Sequence, residues 1–160
     1  MLNPAPLVDA VVTALQSIKP LVDAMNGDPA NIYATHFVFG GDQALTTEIY
    51  AMKAPSILVA WEGQLGGNFS GTTLAKDRIA VYIRAANQAG APQPVSYEQL
   101  WWLINNSPVN GGSQNIRYTE LLPGKWMIPE TPSVEHLVDS EGLDRFCGHY
   151  VFPQYGDQTD

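Results

Sequence analysis

The sequence of 160 residues has a single cysteine, Cys147, and few charged side chains. One cysteine excludes a disulfide within the chain. Charged residues make up 15% of the chain, well below the roughly 25% of an average globular protein. Neutral and apolar groups must therefore cover much of the surface, which is compatible with contacts between subunits. A chain of this length predicts one domain, residues 1–160, with a core that needs no cross-link.

Long hydrophobic runs and targeting signals are also missing. The longest apolar runs, such as Ser56–Trp61, are far too short to cross a bilayer. The first residues show neither the basic nor the apolar segment of a secretory signal. We therefore expect a protein that is made in the cytoplasm and has no membrane partner.

The local motifs of metal and nucleotide sites do not occur. His36, His136 and His149 lie in separate segments, without an H-x-H, HExxH or CxxC pattern. The glycine-rich segment Gly63–Gly71 lacks the Lys-Ser/Thr ending of a P-loop and does not contain G-x-G-x-x-G. The sequence therefore predicts no metal site and no cofactor.

Cys147 and His149 raise the question of a catalytic pair, because they stand two positions apart in RFCGHYVF. Alternate residues of a strand share a face, and the rise per residue puts two such side chains about 6–7 Å apart. A nucleophile and its base should approach to about 2.6–3.2 Å. We therefore expect a structural strand and no catalytic residue. A small hydrolase that uses Cys147 or Ser70 with a histidine is the alternative.

The net charge of −8 is unevenly distributed. Residues 130–160 hold seven acids and one base, whereas residues 74–86 hold three bases and one acid. A head-to-tail assembly of copies could pair the two regions, since opposite charges fix register. The alternative is an acidic surface that only keeps the protein soluble. The candidate interface residues on this basis are Arg78, Arg84, Glu135, Asp139 and Asp144.

Hydrophobic periodicity predicts an α+β fold, with a mostly antiparallel sheet flanked by two main helices. Apolar residues at three- and four-residue steps from Leu7 to Met25 predict a helix, with a kink or a break near Ser17–Lys19 because Pro20 interrupts it. Ser96 and Gln99 form the pattern of a capping box before a helix over Tyr97–Asn105. The predicted strands are Ile32–Phe39, Ser56–Trp61, Leu74–Ala86, Ile116–Leu122, Lys125–Ile128, Val134–Val138 and Leu143–Phe152, with flexible loops at about 62–73 and 107–115.

The second helix carries a tryptophan that its apolar stripe does not use. The helical repeat of 3.6 residues places Leu100, Trp101 and Ile104 on one face. Trp102 falls on the other side. Because tryptophan is a favoured anchor of interfaces, Trp102 is a candidate subunit contact, with an extended core as the alternative.

The order of these elements resembles the tail terminator and head–tail joining (neck) proteins of tailed bacteriophages. The stretches that carry the resemblance are LVDAVVTALQSIKPLVDAM, KAPSILVAW, the glycine-rich loop, DRIAVYIRAA, SYEQLWWLI and GLDRFCGHYVFPQYGD. The resemblance implies a homo-oligomeric ring, typically a hexamer, at the head-proximal end of the tail tube. Its partners would be copies of itself, the tail tube and the neck or connector proteins, with DNA passing through the lumen.

The same resemblance implies a virion protein that is not an enzyme and has no catalytic residue. Another phage connector or a tail-tube subunit is a related alternative. A third reading is a β-rich binding domain of another system, in which Trp61, Trp126 and the tyrosines line a pocket.

Overall fold

The computed structural model describes residues 4–35, 47–49, 51–65, 75–85, 96–127, 134–138 and 144–154. The fold is α+β, as the sequence predicts, with helices packed on a five-stranded sheet. No helix in these ranges has the length and apolar character that a bilayer crossing requires.

The N-terminal amphipathic segment forms two helices, α1 (Ala5–Gln16) and α2 (Lys19–Ala24). The predicted break is confirmed, because the two helices are separated at Ser17 and Ile18. Pro20 lies in the first turn of α2. Proline is tolerated there because the first N–H groups of a helix have no partner within it.

Helix α3 (Tyr97–Asn106) begins at the predicted capping box. The Ser96 hydroxyl accepts a hydrogen bond from the Gln99 N–H, and the Gln99 side chain accepts one from the Ser96 N–H. Two N–H groups at the start of the helix are thereby satisfied, which typically stabilises a helix by about 1 kcal/mol.

The sheet has the strand order β1-β2-β3-β5-β4. Its strands are β1 (Ile32–Thr35), β2 (Ser56–Leu65), β3 (Ala75–Arg84), β4 (Val134–Val138) and β5 (Asp144–Gln154). Strands β1 and β2 run parallel, and the other neighbouring pairs run antiparallel. The prediction of a mostly antiparallel sheet is therefore confirmed, and β3 occupies its centre.

Alternate residues of β2, β3 and β5 divide the sheet into two faces. One face, the helix face, packs against α1, α2 and α3 and forms the main core. Its strand residues include Ile57, Val59, Ile79, Val81, Ile83, Phe146, Tyr150 and Phe152. The opposite face, the far face, has a smaller buried cluster made of Met52, Leu58, Ala60, Ala80, Tyr82 and Cys147. Residues 47–49 and 51, just before Met52, are helical.

Two strand predictions between α3 and β4 are wrong. Residues Ile116–Tyr118 form a 3-10 turn. Of the predicted strand Lys125–Ile128, residues 125–127 form no strand beyond an isolated bridge of Lys125 with Leu122, and Ile128 lies outside the described residues. The Asn115 side chain accepts a hydrogen bond from the Arg117 N–H at 3.0 Å. A side-chain bond of this kind stabilises a turn in competition with strand pairing. The alternating apolar residues of IRYTELL do not reveal this bond.

The loop predictions have mixed outcomes. Strand β2 does not end at Trp61 but continues to Leu65, so residues 62–65 are strand and not loop. Residues 66–73, like residues 36–39 of the first predicted strand, lie outside the described residues. Residues 107–115 form a turn that is closed by a bridge between Pro108 and Asn115.

Candidate functional site: a glutamate, cysteine and histidine cluster

A β-bulge in β2 produces the most unusual feature of the far face. The pairing of β2 with β3 shifts between Trp61 and Gln64, which leaves Glu62 and Gly63 at the irregular step. Gly63 has a φ of +102°, a backbone conformation that residues with a side chain rarely adopt. Bulges re-aim side chains and are frequent beside functional sites. Here the bulge directs the Glu62 carboxylate across β3 toward β5.

A small side chain on the central strand leaves room for that crossing. Ala60, Ala80 and His149 are aligned in register across β2, β3 and β5. Neighbouring strands lie about 4.8 Å apart, so a side chain from β2 must span the full width of β3. Because Ala80 is short, Glu62 reaches His149, and its Oε2 lies 3.0 Å from His149 Nε2.

Three potential ligand atoms converge at this point. Cys147 Sγ lies 3.5 Å from the same Nε2 of His149. The sulfur, the nitrogen and a Glu62 carboxylate oxygen all lie within 4.8 Å of one another. Cys147 is 1% exposed and His149 is 5% exposed, whereas the Glu62 side chain is 19% exposed. The cluster is therefore buried at its sulfur and nitrogen and closer to solvent at its carboxylate.

The separation of Cys147 and His149 that strand spacing predicts is wrong. The two residues do share a face of β5, as expected from their i, i+2 spacing. The spacing describes the backbone, however, and the imidazole is long enough to lean along the strand until Nε2 meets Sγ. Sequence reasoning missed Glu62 altogether, because it lies 87 residues before His149 and only the strand register brings it near.

Hydrogen bonds and charge keep the Glu62 carboxyl ionised. The Tyr82 hydroxyl donates to Glu62 Oε1, and Arg78 Nε lies 3.6 Å from Oε2. Burial acts to raise the pKa of Glu62, but the hydrogen bonds from His149 and Tyr82 and the charges of His149 and Arg78 outweigh it and hold the pKa below its ordinary value. Burial and the bond to Glu62 raise the pKa of Tyr82 far above its ordinary value, so the phenol remains a neutral donor.

Cys147, His149 and Glu62 are not arranged as a nucleophile–imidazole–carboxylate triad. In a triad, one imidazole nitrogen faces the nucleophile and the other faces the orienting carboxylate. Here Nε2 of His149 faces both Cys147 Sγ and Glu62 Oε2. A single nitrogen cannot accept the thiol proton while it donates to the carboxylate. The three donor groups therefore converge on one point, and Nε2 does not relay a proton between Cys147 and Glu62.

Trp102 is exposed to solvent, and its role as a subunit contact stays a prediction. Leu100 and Ile104 are buried, and the Trp101 ring packs on Phe146 and Tyr150 of β5, with centroids 5.5 and 5.4 Å away. Trp102 is 62% exposed on the opposite side of α3. Tyr118 and Trp126 are further large exposed side chains.

The two basic candidate interface residues have contacts inside the chain. Arg78 pairs with Glu62, and the Arg84 Nη1 donates to the Met52 carbonyl. Both are half-buried on the central strand. Their role between subunits stays a prediction.

The acidic candidates are described only in part. The backbone of Glu135 pairs with Cys147, and that of Asp144 pairs with Val138. Asp139 lies outside the described residues. Since β5 pairs directly with β3, a basic strand and part of the acidic region are neighbours within one chain.

No protein-family model matches the sequence, and a search of curated proteins gave no match to it.

Proposed function

We propose that this chain is a structural virion protein, a tail terminator that forms a ring at the head-proximal end of a phage tail tube. The ring, a hexamer of this chain, joins the tube to the neck, and DNA passes through its lumen. The proposal rests on the order of elements that resembles such proteins and, in the structure, on the exposed Trp102 of α3.

Trp102 has the properties of an interface anchor. The contacts of Trp101 with Phe146 and Tyr150 anchor α3 to the sheet. The exposed indole of Trp102 therefore lies on a helix whose other side is packed. Its 62% exposure leaves most of a large apolar side chain in water. When a tryptophan fills a pocket at the centre of an interface, its truncation typically costs about 2 kcal/mol or more of binding free energy.

The charge of the chain agrees with a DNA conduit. A net charge of −8 disfavours tight, sequence-independent binding to the phosphates. Repulsion between an acidic lumen and the phosphates would allow the duplex to slide. Because Arg78 and Arg84 have contacts inside the chain, we assign the subunit contact first to Trp102 and not to charge pairing.

Sedimentation of Trp102→Glu tests the assignment. We expect the substitution to raise the dissociation constant of the assembly by about 30-fold or more, because 1.4 kcal/mol corresponds to a factor of ten. Trp126→Glu is the matched control, since Trp126 is 47% exposed but lies outside α3. An unchanged assembly of Trp102→Glu would contradict the role of Trp102, and an equal effect of both variants would show that the change is not specific to α3.

A small cysteine hydrolase is the second candidate, favoured by the distance of 3.5 Å between Cys147 Sγ and His149 Nε2. Rapid modification of Cys147 at neutral pH, with loss of a hydrolytic activity in Cys147→Ser, would support it. The 1% exposure of Cys147 predicts slow modification instead.

A further inference from the structure

We propose that Glu62, Cys147 and His149 form a binding site for zinc or a divalent ion of similar ligand preference. The inference uses only the far face of the sheet and does not depend on the ring, so each proposal can fail without the other.

The donor set selects the ion. Zinc is bound in proteins by cysteine sulfur, histidine nitrogen and carboxylate oxygen, and the cluster offers one of each. Magnesium and calcium prefer oxygen ligands alone. A thiolate next to an imidazole therefore favours a softer ion, for which sulfur and nitrogen are good ligands.

The distances between the donor atoms match tetrahedral coordination. With bonds of about 2.3 Å to sulfur and about 2.05 Å to nitrogen, a tetrahedral ion separates the two atoms by about 3.6 Å. Cys147 Sγ and His149 Nε2 are 3.5 Å apart. The same geometry separates nitrogen and oxygen by about 3.3 Å, and His149 Nε2 and Glu62 Oε2 are 3.0 Å apart. These two separations are therefore within a few tenths of an ångström of the tetrahedral values, and the third, between the sulfur and the carboxylate oxygen, is at most 4.8 Å.

Neighbouring groups already orient the ligands. The Tyr82 hydroxyl holds Oε1 of Glu62, which leaves Oε2 toward His149. The register of β5 against β3 places Cys147 beside Tyr82 and His149 beside Ala80. Partners of this kind fix the orientation of metal ligands and tune affinity. Arg78 lies 3.6 Å from Oε2 with its side chain 29% exposed, so a bound cation would compete with it for the carboxylate.

The arrangement leaves one coordination position for water. Zinc sites with three protein ligands keep a fourth position for water or another small molecule. The side nearest Glu62 is the more exposed one, and we place the entry of the ion there.

Zinc titration of the full chain, after a chelator has removed bound metal, tests the proposal. We expect calorimetry to give one ion per chain at micromolar concentration. At about 100 times the dissociation constant, the midpoint of thermal unfolding should rise by roughly 5–10 °C. Cobalt(II) used in place of zinc should show the near-ultraviolet absorption of a sulfur–cobalt bond, since Cys147 is the one cysteine of the sequence.

Variants distinguish zinc binding at this site from nonspecific zinc binding by other histidines of the chain. Cys147→Ser and His149→Gln should each lower the affinity for zinc at least tenfold, whereas the control His136→Gln, at a position of the edge strand β4 that pairs with Phe146, should leave it unchanged. Unchanged binding in Cys147→Ser, or a cobalt complex without the sulfur band, would overturn the proposal. If His149→Gln fails to fold, Cys147→Ser and the cobalt spectrum still decide, because serine closely matches cysteine in size.

Discussion

The helix face and the far face of the sheet are built from alternate residues of the same strands, yet they differ in chemistry. The helix face buries branched and aromatic side chains such as Phe152 against three helices. The far face has small residues, including Ala60 and Ala80, and the polar contacts of Glu62, Tyr82 and His149. The helix face is filled by close packing of large apolar side chains, whereas the far face leaves room for side chains that reach across strands.

A single strand can supply core packing on one face and polar contacts on the other. On β5, Phe146 and Tyr150 contact Trp101, while Cys147 and His149 contact each other on the opposite side. The helix face also pairs buried polar groups: Asp77, for example, accepts a hydrogen bond from Trp61 Nε1 at 3.0 Å.

The largest expected effect comes from deleting a ring on the helix face. Phe152→Ala should lower the free energy of unfolding by about 4 kcal/mol, because the substitution leaves a cavity in a fully packed core. The neighbouring Val151 is half-buried on the far face, so Val151→Ala should cost about 1 kcal/mol or less. Urea unfolding measures both, and equal losses would contradict the division into two faces.

The contact between β5 and α3 should be nearly as sensitive to added volume. A Cβ on Gly148 would lie 2.2 Å from Trp101 Cη2, so Gly148→Ala should cost about 3 kcal/mol through overpacking. Gly112→Ala is the matched control, because its nearest neighbour would be the Val109 carbonyl at 3.4 Å. Denaturant unfolding should show little change in the control. A harmless Gly148→Ala would mean that Trp101 does not pack on β5 in this way.

Removing one hydroxyl from each face compares their hydrogen bonds directly. Tyr82 donates to the carboxylate of Glu62, and Tyr150 donates to Asn105 Oδ1 at 2.7 Å. Bonds to charged groups contribute more than neutral ones. In metal-free protein, Tyr82→Phe should therefore cost about 2 kcal/mol and Tyr150→Phe about 1 kcal/mol. The reverse order in chemical denaturation would argue against an ionised Glu62.

The smallest effect concerns the helix that covers β5. Ser96→Ala removes the side-chain cap of α3 and should cost about 1 kcal/mol. At the other end of α3, Ser107 bonds to Leu103 through its backbone N–H, so Ser107→Ala should change little. Thermal unfolding of the two variants compares them, and similar midpoints would show that the capping box contributes nothing to the helix face.

Local patterns predicted most of the elements. The capping box at Ser96, the break before Pro20 and the alternation in RFCGHYVF each depend on a few neighbouring residues, which the sequence displays. The bulge at Glu62 and the 3-10 turn after Asn115 depend on backbone choices that hydrophobic periodicity does not reveal.

Only part of the candidate site, the pair Cys147 and His149, could be recognised from the sequence. The pair Cys147 and His149 is visible as Cys-x-His, but its contact depends on how the imidazole leans along the strand. Glu62 joins the pair through the register of three strands and the short side chain of Ala80. Such long-range pairing is set by the whole sheet and has no signal in the sequence around any one of the three residues.

The mass and shape of the purified chain in solution test the proposed function most directly. Light scattering at high protein concentration, combined with negative-stain imaging, should give a closed ring of about six copies with a central pore, as the resemblance to tail terminators implies. A particle that stays monomeric at all concentrations, and that also fails to bind preformed tail tubes, would contradict the proposal.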